Sequence, residues 1–371
     1  MTYLNHGAFG ATPRPLLKVQ TAIRDRCERQ PLRFYVDETP PLIRLAAEAV
    51  GQLLGARGED IALVENTTVG VNGILRSVPL QAGDRVVTSD HVYPAVLNTL
   101  RRVCAARGAE LDLAGLPIPL SGPDEVVAAF EDALTPATRL VVVDHIASAS
   151  GLVFPVERIV ALAHARGIPV LVDGAHAPGM LPLSLPAIGA DWYVGNCHKW
   201  LCAPKGAAIL WANPDRPDTK RIGHPVTSNL DGHGFPTEFD WTGTRDLSAW
   251  LTLPATVAFH RWLGPEAVQA WNHDVAVRCA EAVAAATGGE LIAPTSMMGS
   301  LAATRLPGFA GVDQSVGDRL RKRLWEHERI EVFCPALHGH LLVRVSGQVY
   351  VEPGAAERLA EALPRHIDAV H

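Results

Sequence analysis

The chain has 371 residues, 48% of them hydrophobic, and a formal net charge of -6 from 33 basic and 39 acidic residues spread along its length. That is too long for one ordinary core, so two domains or one large domain with an appendage are expected, and a mildly acidic chain without basic blocks gives nucleic acid little to bind. No apolar run approaches the ~18 residues of a membrane span, residues 1–10 lack the basic and long apolar regions of a signal peptide, and the cytoplasm is the expected location.

In chain order, roughly the first 40 residues show little regularity and are expected to fold back against the C-terminal part. From about residue 60 to residue 212, short apolar runs alternate with helical patterns. Strands are predicted over 86–89, around Leu111 and Leu113, and over 140–144, 168–173, 191–195 and 207–211, with helices over 95–106, 124–134 and 155–165. Continuous β-branched runs between helices predict a mainly parallel sheet covered on both faces. After about residue 255 the pattern changes to a long helical region over 263–287, strands over 301–306, 330–333 and 341–346, and helices over 316–327 and 353–369. This predicts a smaller α+β domain. The expected division is 15–255 for the large α/β domain, with 1–14 and 256–371 forming the small one and its N-terminal strip at the cleft. The six cysteines match neither a zinc-site spacing nor a secreted disulfide framework, so reduced thiols and no metal are expected.

A ligand of such a sheet lies beyond the carboxyl ends of its strands. Asp144 and Asp173 both fall at predicted strand ends, where each either faces a cleft or caps a turn. Asp173 opens the run Asp173-Gly174-Ala175-His176, and 26 positions after Asp173 comes Lys199, in His198-Lys199-Trp200. A lysine amine forms a Schiff base with an aldehyde, and a carboxylate that keeps a pyridine nitrogen protonated makes the ring an electron sink. That pair of needs is the chemistry of pyridoxal phosphate. His198 is open to three roles: holding phosphate, orienting Lys199 or packing. His176 reaches either the ring hydroxyl or an ordinary buried site. Thr67 and Thr68 lie where a strand turns into a helix, a place that favours a dianion but more often carries a plain helix cap. Arg344, inside an apolar strand run, is either an edge residue with its head in water or a fork for a substrate carboxylate.

The chain resembles the fold-type I pyridoxal phosphate enzymes of the class V aminotransferase family, and most nearly their isopenicillin N epimerase-like branch. The resemblance rests on Asn5-His6-Gly7 within the run from Tyr3 to Pro13, on Asp173 to His176, on His198-Lys199-Trp200, on Gly243-Thr244-Arg245 and on Arg344-Val345-Ser346. It implies that Lys199 carries the cofactor, that Asp173 pairs with the pyridine nitrogen, and that His176 contacts the ring hydroxyl. It further implies that Thr67, Thr68, Asn196 and His198 surround the phosphate and that Tyr93 stacks over the ring, with His91 as a rival for that place. Arg344 matches the clamp for the substrate carboxylate, Asn5 and His6 the strip at the substrate entrance, and Arg245 a phosphate or substrate contact. Thr244 matches a threonine that reaches the partner subunit's phosphate, which implies a homodimer with shared active sites.

For the reaction, the resemblance favours an epimerase or racemase acting by Cα deprotonation of a small amino-acid substrate. A C–S lyase or other β-eliminating enzyme is the alternative, then an aminotransferase. A cysteine desulfurase needs a thiol on a mobile loop, and Cys334, next to a predicted strand and Pro335, has little length to swing. A catalytically silent amino-acid-binding protein is the remaining class, opposed by Lys199, Asp173 and Arg344 together.

Overall fold

The computed structural model describes residues 1–370. A short strand β1 (Thr2–Tyr3) opens the chain, and the main sheet follows from β2 (Ile61–Val64), β3 (Arg85–Ser89), β4 (Glu110–Ala114), β5 (Thr138–Asp144), β6 (Val170–Asp173), β7 (Trp192–Asn196) and β8 (Ala208–Ala212). Their spatial order is β2-β8-β7-β6-β5-β3-β4, parallel from β7 through β4, with β8 antiparallel to both of its neighbours. The sheet is therefore mainly parallel, as its runs of valine, leucine and isoleucine predict.

Alternation along the strands shows why both faces need cover. Val87, Val141, Val143, Val170, Val172 and Ile209 enter one core, while Val86, Leu140, Val142, Leu171, Val194 and Leu210 enter the other. Successive side chains point to opposite faces, so a strand apolar at every position is stable only between two layers. Each fully buried residue of this kind contributes about 1.5–3 kcal/mol by removal from water.

The smaller sheet has the order β12-β13-β10-β9, from β9 (Glu290–Leu291), β10 (Leu301–Arg305), β12 (Ala336–Leu337) and β13 (His340–Ser346), and β11 (Ile330–Glu331) pairs in parallel with β1. Leu341, Val343 and Val345 of β13 share a core with Val275, Ala276 and Val283 of the Pro265–Thr287 helix and with Leu359 and Leu363 of the Ala355–Ile367 helix. Leu342 has the opposite parity and joins the core of the large domain. Arg344 shares that parity, so the strand itself turns its side chain away from the small core.

Two differences from the sequence reading stand out. The first 40 residues are largely helical, with Arg14–Arg29 a 16-residue helix and Thr39 opening another. Only Leu16, Gln20 and Cys27 are buried in the first of these helices, so its apolar stripe is too thin to announce itself in the sequence. The predicted strand over 330–333 shortens to Ile330–Glu331, although Phe333 bridges Arg344. No helix among the described residues is long and apolar enough to cross a membrane.

Candidate active site

The carboxyl ends of β2, β3, β5, β6 and β7 lie along one edge of the main sheet, and the polar residues are concentrated there. Asp144 and Asp173 end β5 and β6 and are register partners, both at most 3% exposed. Two carboxyls side by side in a dry place cannot both ionise cheaply. Burial and the charge of Asp173 push Asp144 well above the usual carboxylate range, and its Oδ2 is buried without a hydrogen-bond partner. Asp173 is raised to about 6 by burial, against the Ala175 N–H and Lys199, which pull it down; that N–H donates to Asp173 Oδ1 at 3.0 Å.

Gly174 is dictated by Tyr193. A Cβ at position 174 would fall 2.1 Å from the Tyr193 hydroxyl, which is 2.9 Å from His145 Nδ1. The Asp-Gly-Ala-His turn thus leaves β6 directly over a tyrosine of β7 and delivers His176 toward the lysine.

Lys199 follows β7. Its Nζ is 2.9 Å from His176 Nε2, and the indole N–H of Trp200 donates to His176 Nδ1 at 3.3 Å. With Nδ1 accepting, the proton of a neutral imidazole sits on Nε2 and points at an amine that must itself be neutral to accept it. The electrostatics agree with this arrangement. Burial, then the charge of Arg344, lowers Lys199 to about 7 despite Asp173, and burial, then Lys199, holds His176 well below the ordinary histidine range.

The Thr67–Ser77 helix begins right after β2. Asn66 caps it by accepting the Val69 N–H at 3.1 Å. Asn196 Oδ1 accepts the Thr67 N–H at 3.1 Å, and Asn196 Nδ2 donates to Thr67 Oγ1 at 3.4 Å, so this pair ties the helix start to β7. The Thr68 N–H and hydroxyl have no partner among the described residues. His198 has Nδ1 3.1 Å from the Ala207 carbonyl, leaving Nε2 unengaged, and burial lowers it to about 4.

Arg344 is 2% exposed and makes no ion pair among the described residues. Its guanidinium donates to the Ser148 carbonyl and, at 3.5 Å, to Asn5 Oδ1, and it lies 4.6 Å from the centroid of the Phe333 ring. Nε has no partner, and burial lowers the group to about 10. A fully buried guanidinium without a carboxylate is costly unless a ligand brings one. β13 is an interior strand of its sheet, which removes the edge-residue reading.

The N-terminal strip closes over this seat. His6 has Nδ1 2.7 Å from the Tyr350 hydroxyl and Nε2 3.1 Å from the Lys199 carbonyl, and burial lowers it to about 4. A Cβ on Gly10, which has φ 72°, would come 2.2 Å from the His198 carbonyl, so the strip touches the lysine loop itself. Arg245 stays on its own chain: Nη1 pairs with Glu65 at 2.9 Å and the guanidinium covers Trp250 at 4.1 Å. Thr244 is exposed, Tyr93 is 43% exposed at the start of the Pro94–Arg107 helix, and His91 is turned toward Ser150. Cys334 is 1% exposed, its thiol is raised by burial, and its carbonyl accepts from Gln314 at 3.3 Å, so it is no mobile nucleophile. Trp200, Tyr193, Ser148, Phe333 and Tyr350 went unassigned in the sequence; a bulky residue beside the lysine was the only signal for any of them.

The donor set fits pyridoxal phosphate. A paired carboxylate lacks a cationic partner, the amine that pulls its pKa down is itself lowered toward neutral, and a helix start with unused donors is tied to the end of the strand that leads to that lysine. Together with the two-sheet fold, this defines an α/β enzyme of the fold-type I class. The aminotransferase class-V family matches residues 37–313, and the chain belongs to that family. It is a family of pyridoxal phosphate enzymes, and pyridoxal phosphate is the cofactor of this chain. The chain is 34% identical over 379 residues to the isopenicillin N epimerase of Streptomyces clavuligerus, covering 97% of this chain and 93% of that one. It is equally 34% identical, over 350 residues, to a putative L-cysteine desulfhydrase 2 of Oryza sativa subsp. japonica, covering 89% and 73%. A solved cystine C–S lyase in complex with its product cysteine persulfide superposes with a TM-score of 0.83 at 21% identity, over 97% of this chain and 96% of that one.

Proposed function

We propose that the chain is a pyridoxal phosphate-dependent C–S lyase, eliminating a thiol from a small cysteine-like amino acid. The observation that carries this reading is the closure of the carboxylate seat. Arg344, Asn5 and His6 are 2%, 7% and 0% exposed, so an amino acid clamped there has its Cα and first side-chain atoms inside the protein. Such a seat suits a side chain of few atoms. Elimination also needs only one proton acceptor at Cα, and Lys199 is that group.

When bound, pyridoxal phosphate supplies an electron sink that acidifies the Cα proton. Asp173 would hold the ring nitrogen, the Thr67–Ser77 helix start with Thr68 and His198 would hold the phosphate, and Tyr93 would lie against the ring. Arg344 receives the substrate carboxylate through its planar fork. Lys199 takes the Cα proton, which its lowered basicity near neutral pH permits, and returns a proton to the departing sulfur. Trp200 keeps the His176 N–H aimed at the lysine and cofactor. The buried, immobile Cys334 favours release of the sulfur over its transfer to the enzyme.

The epimerase reading is supported by relatives of near-equal length at 34% and 35% identity from Streptomyces clavuligerus and Amycolatopsis lactamdurans. It requires a second proton donor on the face opposite Lys199. Incubation in deuterated water with L-cysteine, L-cystine and a panel of L- and D-amino acids separates the two. Pyruvate with sulfide or thiol release supports elimination; Cα exchange with inversion and no keto acid would displace it in favour of epimerisation.

We also read the protein as a homodimer, with Thr244 crossing to the partner's phosphate. Tyr35 Oη donates to the Arg245 carbonyl at 2.9 Å, and Tyr35 is flanked by Leu32 and Val36, which are 73% and 63% exposed. Apolar side chains left in water beside an exposed threonine suit a covered face.

A further inference from the structure

Beyond β3, Asp90 and His91 meet His338, which lies in the turn between β12 and β13. One potential ligand atom from each of the three lies within 4.8 Å of the others. His91 is 2% exposed, its Nδ1 is 3.1 Å from Ser150 Oγ, and its Nε2 is buried without a partner. His338 Nε2 is 3.1 Å from Asp90 Oδ2, and both carboxylate oxygens of Asp90 are 3.2 Å from the Leu116 N–H. The hairpin turn holds His338 at φ 51° and Gly339 at φ 78°, an arrangement that a non-glycine residue adopts at some cost.

We propose that Asp90, His91 and His338 form a binding site for a borderline divalent cation, Zn²⁺ in the first instance. Two imidazole nitrogens and one carboxylate oxygen are a zinc donor set that leaves a fourth position for water. With Nε2 on the ion, the His91 proton lies on Nδ1, 3.1 Å from Ser150 Oγ as its acceptor, while the Leu116 N–H steadies the carboxylate; metal ligands depend on outer partners of this kind. The ion fills the vacant valence of a buried imidazole, which is otherwise an uncompensated cost. Its place gives it a further effect. Asp90 and His91 leave the main sheet, whereas His338 belongs to the hairpin whose second strand carries Arg344, so the ion clasps the two sheets beside the carboxylate seat. The three ligands are too far apart in the chain for any metal spacing to show.

The test uses the full chain loaded with pyridoxal phosphate, freed of metal by a chelator and titrated calorimetrically with Zn²⁺ alone. The expected result is one site per chain that raises the thermal midpoint, with affinity falling more than about tenfold in both His338→Ala and Asp90→Asn. His338 lies in an exposed turn, so its removal leaves the cores intact, and circular dichroism of the variant verifies this. Co²⁺ in place of Zn²⁺ is expected to give a visible absorption band in the wild type that His338→Ala loses. Absence of stoichiometric binding to the wild type, or wild-type affinity retained in either variant, would overturn the proposal.

Discussion

As the proposed base, Lys199 depends on neighbours that keep its amine unprotonated. Burial and Arg344 lower Lys199 to about 7, so the fraction of free amine rises through neutrality. The elimination rate is expected to climb with pH through about 7 and level off above it, and Lys199→Ala is expected to lose ~10²–10⁴-fold in kcat with cofactor supplied in excess. A profile flat from pH 6 to 9 would remove the amine as the titrating base. The same shift is a stability cost. The unfolded chain binds a proton on Lys199 that the apoprotein does not between about 7 and 10.5, so this group makes apoprotein stability rise with pH across that window. Asp173 runs the other way. Its folded value of about 6 lies above the ordinary carboxylate value of 3.8, so it lowers stability as pH rises from 3.8 to about 6, and the cost is complete above about 6. Asp173→Asn is therefore expected to raise the apoprotein's thermal midpoint at pH 8 while abolishing turnover, and a lowered midpoint would mean that the ionised carboxylate is itself stabilising in the fold. Trp200→Phe keeps the ring but removes the indole donor to His176. A shifted pH optimum with an intact fold is the expected signature, and an unchanged optimum would make Trp200 only packing.

At the scale of elements, strand parity decides what the small sheet presents to the cleft. Odd positions of β13 fill the small core and even ones face the large domain, which is how an arginine sits in an apolar run without unfolding it. Arg344→Lys keeps the charge but loses the fork, and loss of one charge-assisted hydrogen bond is expected to raise KM roughly 10–100-fold with a smaller change in kcat. A fall in kcat alone would place Arg344 elsewhere in the reaction. The Asp-Gly-Ala-His turn is constrained from below in the same way. Gly174→Ala would drive a methyl into Tyr193, whose ring is fully buried, and the variant is expected to lose several kcal/mol or fail to fold.

For the whole molecule, the exposed Thr244 and the apolar residues beside Tyr35 lead to a test of shared sites. Lys199→Ala and Thr244→Ala are each expected to be impaired alone. Mixed and allowed to exchange subunits, they are expected to regain part of the activity, because one hybrid site then holds both native residues. No recovery in hybrids verified by mass would confine each site to one chain. Light scattering checks the dimer directly.

The sequence alone was sufficient for the alternating strand–helix order, the mainly parallel sheet and the family, because these depend on local periodicity and on short runs around Asp173 and Lys199. The helical character of the first 40 residues was not legible, since few of their side chains are buried and the apolar stripe is faint. Nor could spacing reveal that Asn196 is bonded to Thr67, that Arg245 is paired with Glu65, or that Trp200 sets the tautomer of His176. Those depend on which residues long-range strand pairing and domain packing bring within about 3 Å, the range at which hydrogen bonds form and protons choose their owners. Local pattern determined which chemistry the chain carries; the tertiary structure alone decided how closed the seat is, which groups are neutral, and where an unpaired charge waits for its partner.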